Sequence, residues 1–475
     1  MTACGMIRMP FFLELGKMGD EMIPVSNRRE LLIDDFLLES RVGAEFRLHE
    51  PVELPADPGK PCGAYLDAFG DGRRYLMYYR GMTPGYDGPK VNGNPGEFVG
   101  VAESADGLVW TRPKLDLFLD APVPPETVIF GDMLTEGLTK IRDVTSPHPG
   151  CTSFTHNFTP FYDDRPGVPD AERYKAVSGI AQTGGLYTFR SADGFRWERY
   201  DDAPIVKYDA PKLGGHALDS QNVAFYSEAE GCFVLYFRVW RTADGRTGLR
   251  SFARATSKDF RHWSEPEFLN PNRPGEHLYV SGLRPYPRAP QYYIGAATRY
   301  FKERGSATDV TLLFSRAGNG ILRPFPGAWI TPGLDPERWT NRMNYIALGM
   351  LQTSPEELSL YHARKRIRYK LRTDGFISLS SGVSGGTWRT KALSGKVAAL
   401  ELNLRTSAGG SFKLELCDVN GRALPGYTLS DFDEFYGDAV KFEPHWRGRP
   451  APVLDGVFQL HAEMTECDVF SIAFR

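Results

Sequence analysis

Two carboxylates stand out by their neighbours. Asp219 lies in Ala217-Leu-Asp-Ser-Gln-Asn-Val223, a polar cluster directly ahead of an apolar run, and Glu276 lies in Pro274-Gly-Glu-His277, ahead of another. One ionised carboxylate acting as nucleophile or base and one protonated carboxyl acting as acid form a working pair when their surroundings push the two pKa values apart. Asp219 is assigned the first role and Glu276 the second; a reversal of surroundings would reverse the roles. His156, Asn157, Gln221, Asn222, Tyr279, Asn341 and Asn344 also stand at or just before β-like runs, and they offer donors and acceptors suited to a ligand rich in hydroxyls. Arg80, Arg238 and Arg284 add planar forks that can grip a carboxylate, a sulfate or a ring hydroxyl, while Tyr65 and Trp240 add flat faces for stacking. Each has a structural alternative: Asp219 as a turn cap, Glu276 as an exposed loop carboxylate, His156 as a satisfied histidine between sheets. Asp67 is a further carboxylate on an apolar run, and Asp34 and Asp35 form a pair whose place in an edge strand argues for a structural role.

These side chains can act together only if the fold gathers them. Aromatic residues make up 13% of the chain, which carries 49 Gly and 35 Pro, and its apolar runs are short and β-like, as in Arg74–Arg80, Arg173–Gly179, Cys232–Arg238 and Gln291–Gly295. A repeat organises them: Ser104-Ala-Asp-Gly-Leu-Val-Trp110 returns as Ser191-Ala-Asp-Gly-Phe-Arg-Trp197 and, without its glycine, as Ser257-Lys-Asp-Phe-Arg-His-Trp263. In such a unit the Asp binds turn amides, the Gly takes positive φ and the Trp packs between neighbouring sheets, so Asp106, Asp193 and Asp259 are structural. Inner and second strands are expected at 63–80, 156–179, 219–238, 279–295 and 344–362, which makes an all-β, five-bladed β-propeller over 26–367. The polar residues heading its inner strands then converge on a central funnel. Glu30–Leu38 is expected to help close the ring. From 368 to 475, alternating strands with Gly-rich turns, such as Lys396–Leu404 and Ser411–Cys417, read as a C-terminal β-sandwich.

Two domains suit a chain of 475 residues. A net charge of −3 supplies no basic excess for nucleic acid, and no run approaches the ~20 apolar residues of a membrane helix, so neither partner is expected. The six cysteines are scattered with no metal-ligand spacing and read as free thiols; no metal or other cofactor is expected. Residues 1–25 read as a flexible extension without a signal peptide, which leaves a cytoplasmic location as the default.

The SxDGxxW blades followed by a sandwich resemble the glycoside hydrolase family 32 invertases and fructosidases and the family 43 arabinanases and xylosidases. The phrases LLIDDFLLES, HNFTPFYD, DSQNVAFY, NYIALGM and LRTDGFISL, spread along nearly the whole chain, resemble more closely a bacterial family 32-like group. The resemblance implies a glycoside hydrolase acting on an oligo- or polysaccharide, acidic or sulfated glycans included, by carboxylate chemistry in the funnel. A carbohydrate-binding propeller without catalysis, and a glycan phosphorylase or sialidase-like enzyme, are the alternatives. The chain departs from the family: it has no W-x-N-D-P-N opening and no R-D-P triplet, its E-C dipeptide is Glu466-Cys467 in the sandwich, and His156-Asn157-Phe-Thr-Pro160 stands where the R-D-P aspartate would be. Two facing carboxyls in the funnel would favour hydrolysis, amides alone would favour binding, and a cluster of Arg and His would favour phosphate.

Overall fold

The computed structural model describes residues 22–88, 92–131, 133, 134 and 153–475. These fall into two units, one formed by residues 47–378 and the other by the N-terminal residues up to 46 together with 379–475.

The larger unit is a five-bladed β-propeller of antiparallel sheets. Blade 1 runs Ala64–Gly70, Tyr75–Met82, Glu97–Ser104 and Thr127–Phe130. Blade 2 is Thr159–Tyr162, Tyr174–Ser178, Gly185–Ser191 and Glu198–Arg199, and blade 3 is Val223–Ser227, Cys232–Arg241, Thr247–Ser257 and Glu267–Phe268. In blade 4 a break after Val280 divides the inner strand into His277–Val280 and Arg284–Tyr286, both paired with Ala289–Phe301, which in turn pairs with Ala307–Arg316. Middle strands such as Cys232–Phe237 are buried along their whole length. A blade packed between two others has no solvent face, so its middle strands read as continuous apolar runs rather than as alternation.

The repeated turns build the joints between blades. Asp106 Oδ1 accepts the amides of Leu108 and Val109 at 2.7 and 2.9 Å while Ser104 Oγ accepts that of Gly107 at 2.8 Å, and Asp193 and Asp259 repeat the arrangement. Gly107 and Gly194 have φ of 75° and 81°; in the third copy Phe260 takes their place at 67°, a left-handed conformation unusual for a side chain of that size, and its ring is fully buried. Trp110 meets Tyr361 of blade 5 edge-on at 5.6 Å, and Trp197 meets Tyr78 of blade 1 at 6.3 Å. Tyr78 and Tyr361 each donate to a carbonyl of the turn they cover, at Gly194 and Gly107.

Blade 5 consists of Leu351–Ser354, Glu357–Tyr361 and Ile367–Arg372, and its outermost strand comes from the other end of the unit: Val52–Pro55 pairs with Ile367–Arg372, Val52 opposite Lys370 and Pro55 opposite Ile367. Glu30–Leu38 does not have this role. Arg28–Leu31 instead pairs with the final long strand, Arg28 opposite Phe474, and Leu32, Leu37 and Leu38 join a core with Trp388, Phe458 and Phe474. An apolar run shows that it needs a core without showing which one. A domain boundary at 368 would also cut through the strand that closes the ring.

The second unit is the β-sandwich, dominated by two long partners, Leu400–Cys417 and Leu454–Phe474, whose pairing shifts register near Leu404 and across Thr406–Ser411. Of the proposed N-terminal extension, residues 1–21 lie outside the described residues, whereas Ile23 and Val25 are buried in the sandwich core. Cys62, Cys232, Cys417 and Cys467 are free thiols; Cys4 and Cys151 lie outside the described residues. No helix among the described residues is long and apolar enough to cross a membrane.

Candidate active site

The inner strands of the propeller bring Tyr65, His156, Asp219, Tyr279 and Tyr345, one from the head of each blade, to a cavity of about 100 Å³, whose wall is completed in part by Arg80, Arg342 and Arg364. Tyr65, Arg342 and Leu218, the neighbour of Asp219, have φ of 49°, 53° and 65°. Left-handed conformations of this kind cost about 1–3 kcal/mol each and persist where surrounding contacts enforce them. Asn157 and Asn222 supply that enforcement around Asp219: each donates to the carbonyls of both Leu218 and Ser220, at 2.9 to 3.1 Å, and Asn222 also accepts the Arg238 amide at 3.0 Å.

Among the described residues Asp219 is the one carboxylate that lines the cavity, with 31% of its side chain exposed. Arg238 Nη2 lies 3.1 Å from one oxygen and His156 Nε2 3.3 Å from the other. Burial by itself would raise the pKa of Asp219, but the Arg238 charge and the His156 contact outweigh it and hold the carboxyl well below the usual range. Asp219 is therefore ionised at neutral pH. On the far side of the imidazole, Nδ1 lies 3.1 Å from both oxygens of Glu97, a buried carboxylate from the third strand of blade 1. Burial raises the pKa of Glu97 too, and the neighbouring His156 and Arg80 bring it below its ordinary value. His156 is thus held between two carboxylates, and Arg80 donates to its carbonyl at 3.0 Å while its guanidinium lies 4.7 Å from the Tyr65 ring.

The tyrosines line the same cavity, Tyr65 edge-on to His156 at 5.7 Å. The Tyr65 and Tyr279 hydroxyls are 3.3 Å apart, and Tyr345 packs edge-on against both rings at 6.4 and 5.7 Å. Burial pushes the phenols of Tyr65 and Tyr345 well up, so both remain protonated donors, and the Tyr345 hydroxyl has no hydrogen-bond partner among the described residues.

Other residues singled out from the sequence serve elsewhere. Glu276 does not line the cavity: it pairs with Arg323 at 2.6 and 3.1 Å and accepts the Arg273 amide, which ties down its own loop. Asn157, Asn222 and Asn344 are fully buried, with their amides spent on backbone and also, for Asn157, on the Ser178 hydroxyl and, for Asn344, on Arg338; they hold the site's scaffold rather than face a ligand. Gln221 points from blade 3 to the carbonyls of Tyr65 and Leu66 in blade 1. Arg284 pairs with Asp67 at 2.7 Å, where burial drives the Asp67 pKa up to about 7 despite that neighbour. Trp240 meets His216 edge-on and lies under the Arg250 guanidinium, outside the cavity lining, and Asn341 is exposed beside Arg342. Asp34 and Asp35 belong to the sandwich unit, where Asp34 accepts the Phe36 amide and Asp35 pairs with Arg41. Glu97, Arg342, Tyr345 and Arg364 escaped sequence reasoning. Tyr345 follows Asn344 by one residue, so strand parity was the signal available; the other three come from a third strand and from loops, where no inner-strand rule reaches. Among the described residues no group of three or more His, Cys, Asp or Glu side chains is arranged to hold a metal ion.

The sequence matches no protein-family model and no curated protein. Among solved structures it is similar to a β-1,2-mannobiose phosphorylase from Listeria innocua, with 14% identity and a TM-score of 0.42 over 67% of this chain and 92% of that one. It is also similar to a glycoside hydrolase family 43 arabinoxylan arabinofuranohydrolase from Bacillus subtilis, with 11% identity and a TM-score of 0.40 over 87% and 95% of the two chains. A third, described as a glycoside hydrolase, gives 14% identity and a TM-score of 0.41 over 70% and 90%.

Proposed function

We propose that the propeller funnel is the active site of an enzyme that cleaves glycosidic bonds, with Asp219 as the ionised base or nucleophile. The observation that carries this reading is the Glu97–His156–Asp219 array: an ionised carboxylate open to a cavity, backed by an imidazole that is itself held by a buried carboxylate. The tyrosine rings and hydroxyls that line the cavity suit a sugar, offering flat apolar faces with donors at their tips. Glu276, spent on Arg323, has no part in the chemistry. His156, held on its other side by Glu97, gives a proton to the departing sugar oxygen as Asp219 accepts one from the attacking nucleophile or itself attacks the anomeric carbon.

The test is a screen of purified protein against polysaccharides and aryl glycosides, with Asp219→Asn and His156→Gln in parallel. Sugar release by the wild type, falling on the order of 10²–10⁴-fold in each variant with the circular dichroism spectrum retained, is the expected result. Full activity in Asp219→Asn would overturn the assignment of the base, and saturable binding of a glycan without turnover would replace catalysis with carbohydrate binding.

A further inference from the structure

The cavity holds more positive charge than its carboxylates can answer. Asp219 is matched by Arg238 and Glu97 by Arg80, at 3.1 and 3.7 Å, with His156 between them. Arg342 and Arg364 also line the cavity and have no carboxylate partner among the described residues; Arg342 donates to the Tyr279 hydroxyl at 3.4 Å and to Asn341 at 3.0 Å. Behind the tyrosines, Arg238 and Arg250 stack on the Tyr279 ring at 5.1 and 5.5 Å, and Arg250 too has no carboxylate partner among the described residues. Arg238 is 2% exposed, and its Nη1 is buried with no hydrogen-bond partner among the described residues. An unmatched buried guanidinium donor is destabilising, and like charges set together in a concavity add to that cost.

Resting on the reading of the funnel as the active site, we propose that Arg342 and Arg364, with Arg238 and Arg250 behind the tyrosine wall, form a subsite for an oxyanion of the ligand, a carboxylate, sulfate or phosphate. The paired N–H groups of a guanidinium fit two oxygens of such a group, which an ammonium cannot match. The oxyanion has two sources, a charged substituent on the sugar or free inorganic phosphate. In the second case hydrogen phosphate is the nucleophile: its oxygen bonds to the anomeric carbon as the bond from that carbon to the departing sugar oxygen breaks, the departing oxygen takes a proton from His156, and the proton that the phosphate gives up restores the balance.

Calorimetric titration of the full chain with inorganic phosphate, sodium sulfate and glucuronate, against glucose as the neutral control, tests the subsite without any need for turnover. At least one oxyanion is expected to bind saturably, with affinity falling about tenfold in Arg364→Ala and further in the Arg342→Ala/Arg364→Ala pair, as loss of charge-assisted hydrogen bonds requires. Tighter binding of phosphate than of glucuronate, with a sugar phosphate as reaction product, assigns the free anion; tighter binding of glucuronate or sulfate, with turnover independent of phosphate, assigns the substituent. No saturable binding of any of the three, or equal affinity in the double variant, overturns the subsite. Anion binding without glycan cleavage would sink the reading of the active site alone, and cleavage of neutral glycans without anion binding would sink the subsite alone.

Discussion

Two Asp–Arg pairs inside the same propeller behave in opposite ways. Asp219 and Arg238 meet at the cavity, 3.1 Å apart, and Asp219 is held ionised against the cost of burial because His156 adds to the pull of the guanidinium. Asp67 and Arg284 meet at 2.7 Å with the carboxylate wholly enclosed, and there burial prevails, driving the Asp67 pKa up to about 7. A nearby arginine does not make a carboxylate reactive or even reliably charged. The balance between desolvation and the number of partners decides its state, and access to a cavity decides whether that state is of use.

The largest effect expected from this contrast is in activity. Asp219→Asn should lower kcat on the order of 10²-fold or more, at a stability cost of about 1–2 kcal/mol, while Asp67→Asn should leave kcat within about twofold; equal losses in steady-state kinetics would erase the distinction. The pH dependence of stability should separate the pairs next. Because the folded pKa of Asp67 lies above its unfolded value, its contribution is complete at low pH and is lost as pH rises from about 4 through about 7. Thermal melts across that window should show this decline in the wild type and not in Asp67→Asn; parallel curves would count against the raised value. Asp219 acts with the opposite sign, its contribution being present above the ordinary carboxylate range and lost as pH falls below it.

Glu276→Gln sharpens the comparison from outside the cavity. It should cost about 1–3 kcal/mol through the loss of charge-assisted bonds to the buried Arg323, with activity retained; a large fall in kcat without loss of stability would return Glu276 to the chemistry. The smallest effect is expected at the turns. Asp193→Ala removes the acceptor for the Phe195 and Arg196 amides and should cost about 1 kcal/mol by chemical denaturation, with no change in turnover.

Much of the propeller can be read from the sequence because its turns are local devices. The Ser, Asp, Gly and Trp of each copy close a turn within a few residues, and the pattern survives even where Phe260 replaces the glycine. The site was legible only at the heads of the inner strands, where blade geometry alone points side chains at the funnel: His156, Asp219 and Tyr279 meet there with Tyr65 and Arg80. Amide residues misled because Asn157, Gln221, Asn222 and Asn344 look the same in sequence whether they face a sugar or pin a buried backbone. Arg342 and Arg364 carry no local signal, since loops of any composition can reach a funnel mouth.

The sequence by itself determined the all-β character, the repeated blades and the residues that head them, because strand preference and turn chemistry act over a handful of neighbours. Only the tertiary structure decided that Val52–Pro55 closes the ring while Arg28–Leu31 goes to the sandwich. It alone decided that Asp219 is ionised and open while Asp67 is shut away, and that Glu276 answers Arg323. Those outcomes depend on partners that are distant in the chain or on the depth of burial, and both arise only when the blades pack.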